Sequence, residues 1–172
     1  MVEIRLATIS DTKDILKIYE HYVLNTAISF EYSVPTVVEF KNRIENTLKK
    51  YPYLVALIDN KVVGYAYAGS FVGREAYRFS AELTVYVDKD YQKIGIGKLL
   101  YKELEIRLKD MGIKNLYACV GVPALQEDEY MNFNSVQFHE HLGFKQVGEF
   151  HKCGYKFDRW YNMVWLEKII KE

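Results

Sequence analysis

Apolar and polar residues alternate from the start of the chain. Val2, Ile4 and Leu6 fall on one side, and this period of two predicts a first strand. The period then changes: Ile15, Ile18, Tyr19 and Tyr22 share one helical face, behind Ser10 or Asp11 as a candidate cap. Thr36 and Glu39 have the spacing of a capping box, and Phe40, Ile44 and Leu48 follow at helical period. Residues 54–58 and 62–68 read as two strands joined by a turn at 59–61. A further strand over 79–87 puts Phe79, Ala81, Leu83, Val85 and Val87 on one face, and Ser80, Glu82, Thr84 and Tyr86 on the other. A helix over 97–110 follows, with Leu100, Leu104, Leu108 and Met111 as its buried stripe and Gly112 as its stop. A strand over 115–120, a short helix over 134–142 stopped by Gly143, and strands over 144–150 and 161–167 complete the chain. The predicted order is βααβββαβαββ, a mixed α/β layout. No linker or repeat divides it, so one domain is read over residues 1–172.

Composition narrows the function classes. Lys+Arg 23 cancels Asp+Glu 23, which argues against nucleic-acid binding by a broad basic surface and against a polybasic membrane anchor. No apolar run approaches the roughly 20 residues of a membrane helix, and no secretory signal is visible. Cys119 and Cys153 are too few for a disulfide scaffold and lack zinc-type spacing, so a reduced, cytoplasmic setting is expected. Aromatic content reaches 15%, led by 15 tyrosines, which suits the walls of a cleft or an interface.

The segment Gln92-Lys93-Ile94-Gly95-Ile96-Gly97, set between a strand and a helix, carries the clearest chemistry. Gly95 and Gly97 remove side chains where backbone would meet a ligand, and the helix behind offers open N–H groups and the positive end of its dipole. Together these suit a pyrophosphate. No G-x-x-x-x-G-K-[ST] is present, and Leu100 stands where G-x-G-x-x-G needs its third glycine. A turn that uses glycine only for tightness is the competing reading.

The strand ELTVYV, the turn QKIGIG and the helix KLLYKELEIRL closely resemble the acetyl-CoA-binding core of the GNAT N-acetyltransferases. That family's Q/R-x-x-G-x-G/A signature is met by Gln92, Gly95 and Gly97. NFNSVQFHEHLGF resembles the family's second cofactor segment. GREAYRFSAELTVYVDKDYQKIGIGKLLY, HEHLGFKQVGEF, GYKFDRWYNMVW and TAISFE resemble the phosphinothricin (amino-acid) acetyltransferase branch, almost end to end. The resemblance implies the GNAT fold, a central mixed sheet splayed open between the strands carrying ELTVYV and LYACV. Acetyl-CoA would lie in the splay, its pantetheine on the backbone of Val85 and Val87, with Tyr86 beside them. Its pyrophosphate would sit on Gln92, Lys93, Ile94, Gly95, Ile96, Gly97 and Lys98. Asn132 keeps the family's Asn-x-x-Ser spacing to Ser135, whereas Asn134 sits directly before Ser135 as the better helix cap, so both are carried. The connection before them, VPALQEDEYM, is longer than in relatives; its Glu127, Asp128 and Glu129 read as a solvated loop, with a lid as the lesser alternative.

Acetyl transfer to an amine needs a base for the amine proton and an acid for the departing thiolate. Glu82 is the candidate base: partial burial on its strand would raise its pKa. A solvent-facing Glu is the competing reading, and the resemblance, which places a catalytic Glu here, reverses that preference. By resemblance, His139 would protonate the CoA sulfur. His139 and His141 point about 200° apart on a helix and cannot share a metal, so no metal is expected. Cys119 lacks a local Cys-His signature for a thiol nucleophile. Arg74 and Tyr77 occupy the loop that, in relatives, holds the acceptor's acidic group, and a guanidinium suits a carboxylate. Phe30 would wall the same pocket, with core packing as its alternative. The expected activity is acetylation of a small amino acid or analogue of phosphinothricin, methionine sulfone or methionine sulfoximine type. A protein N-terminus or lysine is the alternative acceptor, and a non-catalytic acetyl-CoA sensor the alternative class. The segment KFDRWYNMVW could complete a homodimer interface, as in relatives, or belong to the core.

Overall fold

The computed structural model describes residues 1–170; positions 171 and 172 of the expected domain lie outside the described residues. The elements are β1 (Glu3–Leu6), α1 (Thr12–Asn25), α2 (Val37–Leu48), β2 (Tyr53–Ile58), β3 (Lys61–Ser70), β4 (Ser80–Val87), α3 (Ile96–Asp110), β5 (Asn115–Pro123), α4 (Asn134–His141), β6 (Lys145–Lys156) and β7 (Arg159–Ile169). Their order is the predicted βααβββαβαββ. Local signals set several boundaries. The Thr36 hydroxyl accepts from Glu39 N–H and the Glu39 carboxylate accepts from Thr36 N–H, so the capping box starts α2. Asp59 (φ 50°) and Asn60 (φ 64°) both sit in the left-handed region, which suits a two-residue hairpin turn between β2 and β3. Asp11 does precede α1, but its carboxylate accepts from Thr8 N–H and pairs with Arg5 instead of capping the helix.

One seven-stranded sheet runs β1-β2-β3-β4-β5-β7-β6. All neighbours are antiparallel except β4 and β5. That parallel pair holds together only at Ser80–Asn115, Ala81–Leu116 and Glu82–Tyr117. Beyond Glu82 the two strands part, and the candidate site lies in the gap.

Two cores flank the sheet. On one face Leu100, Leu104 and Leu108 of α3 are fully buried against Ala66, Ala81, Leu83 and Leu116, each leucine contributing about 1.5–3 kcal/mol by its burial. Met111, expected in this stripe, is instead 48% exposed, because α3 ends at Asp110 and Met111 is its C-cap. On the other face α1 and α2 cover an aromatic layer. Tyr53 stacks on Tyr67 at 4.8 Å, Tyr22 meets Tyr86 at 4.9 Å, and Tyr19 stacks on Phe40 at 5.5 Å. Many of the tyrosines thus serve the core, and burial pushes the hydroxyls of Tyr53, Tyr65 and Tyr86 well above the usual pKa. The last hairpin is longer than its apolar pattern suggests, because a bulge interrupts β6 between Phe150 and Gly154.

Candidate active site

The parting of β4 from β5 exposes one edge of β4. Asp88 N–H donates to the Val63 carbonyl, and the β3–β4 register runs without a shift from there to Ser70–Ala81. Antiparallel pairs alternate. Thr84 and Tyr86 therefore bond toward β3, while Val85 and Val87 turn their N–H and C=O groups into the gap. The Val87 carbonyl already accepts from the Tyr22 hydroxyl, and Gln92 Nε2 donates to Tyr22 Oη at 2.9 Å. Gln92 therefore ties the glycine-rich turn back to α1.

The turn itself needs two left-handed residues, Lys93 (φ 63°) and Gly95 (φ 90°). A Cβ at Gly95 would stand in open space, where a ligand can approach. Gly97 has a second reason beside the one expected: a Cβ there would come within 3.1 Å of the Phe138 ring, so this glycine lets α4 close on α3. The bond from Leu99 N–H to the Gly95 carbonyl opens α3, which leaves the N–H groups of Ile96, Gly97 and Lys98 open at the helix start. Every residue of the expected cofactor set except Ile94 lines one cavity of about 380 Å³ here. Ile94 points outward and is 60% exposed.

Asn132, Asn134 and Ser135 border the same cavity from α4. Neither asparagine is the cap: Phe133 holds that position before α4, Asn134 is the first helical residue, and Asn132 Oδ1 accepts from Asn134 N–H at 3.0 Å in a turn leading into the helix. The acidic connection before it is also more than a solvated loop. Asp128 accepts from the N–H groups of Tyr130 and Met131 and from the Tyr161 hydroxyl, and pairs with Arg159. Glu127 accepts from Phe133 N–H at 3.0 Å, at the head of α4.

A second cavity of about 220 Å³ shares Val85, Tyr86 and Ser135 with the first and contains Glu82, Tyr101, Cys119 and His139. Glu82 is half-buried, and burial raises its carboxyl above the usual range. His139 is 3% exposed, and burial holds its pKa below the ordinary imidazole value. Its Nδ1 lies 2.6 Å from the Ser135 carbonyl, which can only accept, so Nδ1 carries the proton. In the neutral ring Nε2 is then bare, and the Tyr101 hydroxyl, 3.0 Å away, donates to it. Burial raises Tyr101 as well. The Cys119 thiol is pushed up to about 12, chiefly by burial, which suppresses the thiolate a nucleophile needs.

Phe30 lies in a third cavity of about 670 Å³ that shares Ile28, Tyr86, Cys119 and Gly121 with the second. Glu31 borders it, held by Arg43 at 2.7 and 3.0 Å and accepting from the Tyr19 hydroxyl. Arg74 and Tyr77 stand apart from this assembly, exposed on the β3–β4 loop, and line none of the three cavities. Tyr77 meets Phe71 edge-on, and Phe71 stacks at 3.9 Å on Tyr117, the neighbour of Glu82. The Arg74 side chain holds no ion pair or hydrogen bond among the described residues. Sequence reasoning missed Tyr22 and Tyr101. Tyr101 adjoins the Leu100 stripe, where a buried hydroxyl needs a partner, and that was its signal.

A sheet opened at one point, with unpaired helix N–H groups at its mouth and a raised carboxyl sharing a cavity with a buried imidazole, is an arrangement that suits a group-transfer enzyme. The acetyltransferase (GNAT) domain family matches residues 4–165, and the chain belongs to that family. Phosphinothricin N-acetyltransferase of Streptomyces viridochromogenes is 35% identical over 97% of this chain and 87% of that protein. A phosphinothricin acetyltransferase from Sinorhizobium meliloti, solved in complex with AcCoA, superposes with a TM-score of 0.90 at 31% identity, covering 99% of this chain and 89% of that one. A ribosomal-protein-alanine N-acetyltransferase from Brucella melitensis superposes with a TM-score of 0.88 at 32% identity, over 98% of this chain and 99% of that one.

Proposed function

We propose that the chain moves acetyl from acetyl-CoA directly to the amine of a small amino acid or analogue, of phosphinothricin, methionine sulfone or methionine sulfoximine type. The observation that carries this reading is the half-buried Glu82 at the point where β4 and β5 part, between the cofactor cavity and the cavity of Phe30. Acetyl-CoA supplies an activated acyl thioester. The N–H and C=O of Val85 and the N–H of Val87 pair with its amides. The open N–H groups of Ile96, Gly97 and Lys98, with the Lys93 and Lys98 side chains beside them, hold its pyrophosphate.

Glu82 takes the proton that the amine loses, and its raised pKa suits it to that task. The Tyr101–His139 pair returns a proton to the departing sulfur. Direct donation from His139, the expectation from sequence, is modified here because His139 Nε2 already accepts from Tyr101. Each turnover therefore moves one proton from the amine to the thiol, and solvent carries it from Glu82 back to the pair. The high thiol pKa of Cys119 favours direct transfer over an acyl-cysteine. Arg74 and Tyr77 lie outside the three cavities, exposed on the β3–β4 loop; on the family resemblance, Arg74 is the proposed anchor for the acceptor's acid group. A cytoplasmic setting and a homodimer belong to the same reading. Support for the dimer is the exposed apolar surface of the last hairpin, where Phe150 and Trp160 are 55% and 53% exposed.

Release of CoA thiol, followed across amino acids, their decarboxylated amines and short peptides, tests the acceptor. Amino acids should be preferred, and Arg74→Ala should raise their KM roughly ten- to a hundredfold, the cost of one charged hydrogen bond, with the KM for acetyl-CoA little changed. Efficient turnover of peptides instead would favour a protein N-terminus as acceptor, the substrate that the Brucella melitensis structure's name carries.

A further inference from the structure

Phe30 is not held by ordinary core packing. One edge of its ring lies on Gly154 of β6 and the other on Gly121 of β5. A Cβ at Gly154 would overlap the ring, standing 2.5 Å from Cζ and 3.0 Å from Cδ2. Gly154 does not have a positive φ, so an alanine there meets a steric objection and no backbone strain. At Gly121 the ring carbons lie 3.4 Å from a built Cβ. That is ordinary contact, so the ring rests against Gly121 while the missing Cβ of Gly154 makes the slot it lies in.

The slot depends on the β6 bulge. Phe150 pairs with Met163 and Gly154 with Tyr161, so residues 151–153 face the single residue Asn162. Asn162 is buried, accepts from Lys152 N–H at 2.7 Å and donates to Glu149 at 2.8 Å, which pins the bulge. The loop carrying Phe30 is pinned on both sides as well. Lys156 Nζ donates to the carbonyls of Val23, Thr26 and Ser29 at 2.7, 2.8 and 2.8 Å. Glu31 is held by Arg43 and Tyr19. With backbone fixed before and after it, Phe30 can answer crowding only by turning its side chain. The open side is the cavity of Ile28, Cys119 and Met163.

We propose that Gly154 sets the length of acceptor side chain the enzyme takes, by giving Phe30 a place to park outside the acceptor cavity. Parked, the ring leaves room for an unbranched stem beside Ile28 and Met163; turned out, it takes that room. The inference deepens the proposed function and rests on its placing of the acceptor in this cavity.

The test uses glycine, alanine, norvaline and methionine sulfone as acceptors at saturating acetyl-CoA. Gly154→Ala should lower kcat/KM about tenfold or more for norvaline and methionine sulfone, within the range one or two displaced methylenes command. Glycine and alanine should change less than about threefold on the same scale. Adding Phe30→Ala to Gly154→Ala removes the crowding atoms and should bring the long acceptors back to the level of Phe30→Ala alone. Equal losses along the series, or a double variant that recovers nothing, would overturn the proposal and leave Gly154 a structural residue. If the parent enzyme acetylates tripeptides and no free amino acid, the amino-acid reading fails by itself. The same series at the first residue of the tripeptide then reads Gly154, with the same two outcomes.

Discussion

Replacing Glu82 with glutamine isolates one proton acceptor at nearly constant shape. Among the described residues Glu82 has no charged partner to compensate its burial, and desolvation is the cause of its raised pKa. Two consequences follow with opposite signs for activity and stability. Loss of a positioned general base typically costs 10²–10⁴ in rate, or about 2.7–5.5 kcal/mol of barrier at about 1.36 kcal/mol per tenfold. In the parent, kcat/KM should climb with pH through the raised Glu82 pKa, and Glu82→Gln should lose that limb. Stability behaves differently. A carboxyl whose folded pKa is raised favours folding most below its unfolded value of about 4.3, and that contribution is lost as pH rises through the folded pKa. Glu82→Gln should therefore melt higher than the parent at pH 7, and its advantage should shrink toward pH 4. Thiol release at saturating acetyl-CoA and thermal melts across pH measure both. Parent-like turnover at neutral pH would refute the assignment of the base. Unchanged melting at pH 7 would refute the claim that the folded protein bears the cost of a buried charge there.

His139 carries the opposite linkage. Its folded pKa is depressed by burial, so the stability it contributes is present above the unfolded value of about 6.5 and is lost as pH falls toward the folded pKa; His139→Gln should flatten the fall in melting temperature between pH 7 and 5, and lower turnover less than Glu82→Gln does. Gly95→Val should weaken CoA binding by calorimetry, because a side chain would stand in the open space above the turn and a β-branched residue resists φ 90°. Lys156→Met strands three carbonyls and should cost about 3 kcal/mol, the low end of about 1–3 kcal/mol for each unsatisfied acceptor, or roughly 6–12 °C in melting temperature at about 2–4 °C per kcal/mol for a chain of this size; a shift under about 2 °C on that scale would mean that water replaces the ammonium.

What could be read from the sequence was what neighbours in the chain decide. The Thr36–Glu39 box, the Asp59-Asn60 turn and the alternation of β4 from Ala81 to Val87 each depend on residues a few positions apart, and each appears as expected; Phe79, expected on the core face, falls before β4 and is 47% exposed. The proposed cofactor turn belongs with them, since Gln92–Lys98 is a single stretch whose backbone would do the binding. Even there, local reading missed a second reason for Gly97, which also lines the cavity. Phe138, on another helix, is what needs its missing side chain. Met111 shows the same limit: its spacing fits the α3 stripe, but the helix has ended and the chain turns at Gly112 (φ 83°).

The acceptor half was harder to read for a physical reason. Phe30, Cys119, Cys153 and Met163 meet because a loop, a central strand and a bulged hairpin converge, and none of these carries a local motif for the encounter. The bulge exists because a buried asparagine side chain completes the ladder for Lys152 N–H, which would otherwise lack a partner. That compensation is visible only once β6 and β7 are paired. On the proposed reading, backbone atoms supply most of the donor side and are indifferent to many side-chain changes. The proposed acceptor side is made of side chains and one absent Cβ, so a single substitution should reshape it without touching the turn. The division predicts where members of this family should differ: their donor segments should stay alike while the 26–31 loop and the β6 bulge vary with the amine they accept.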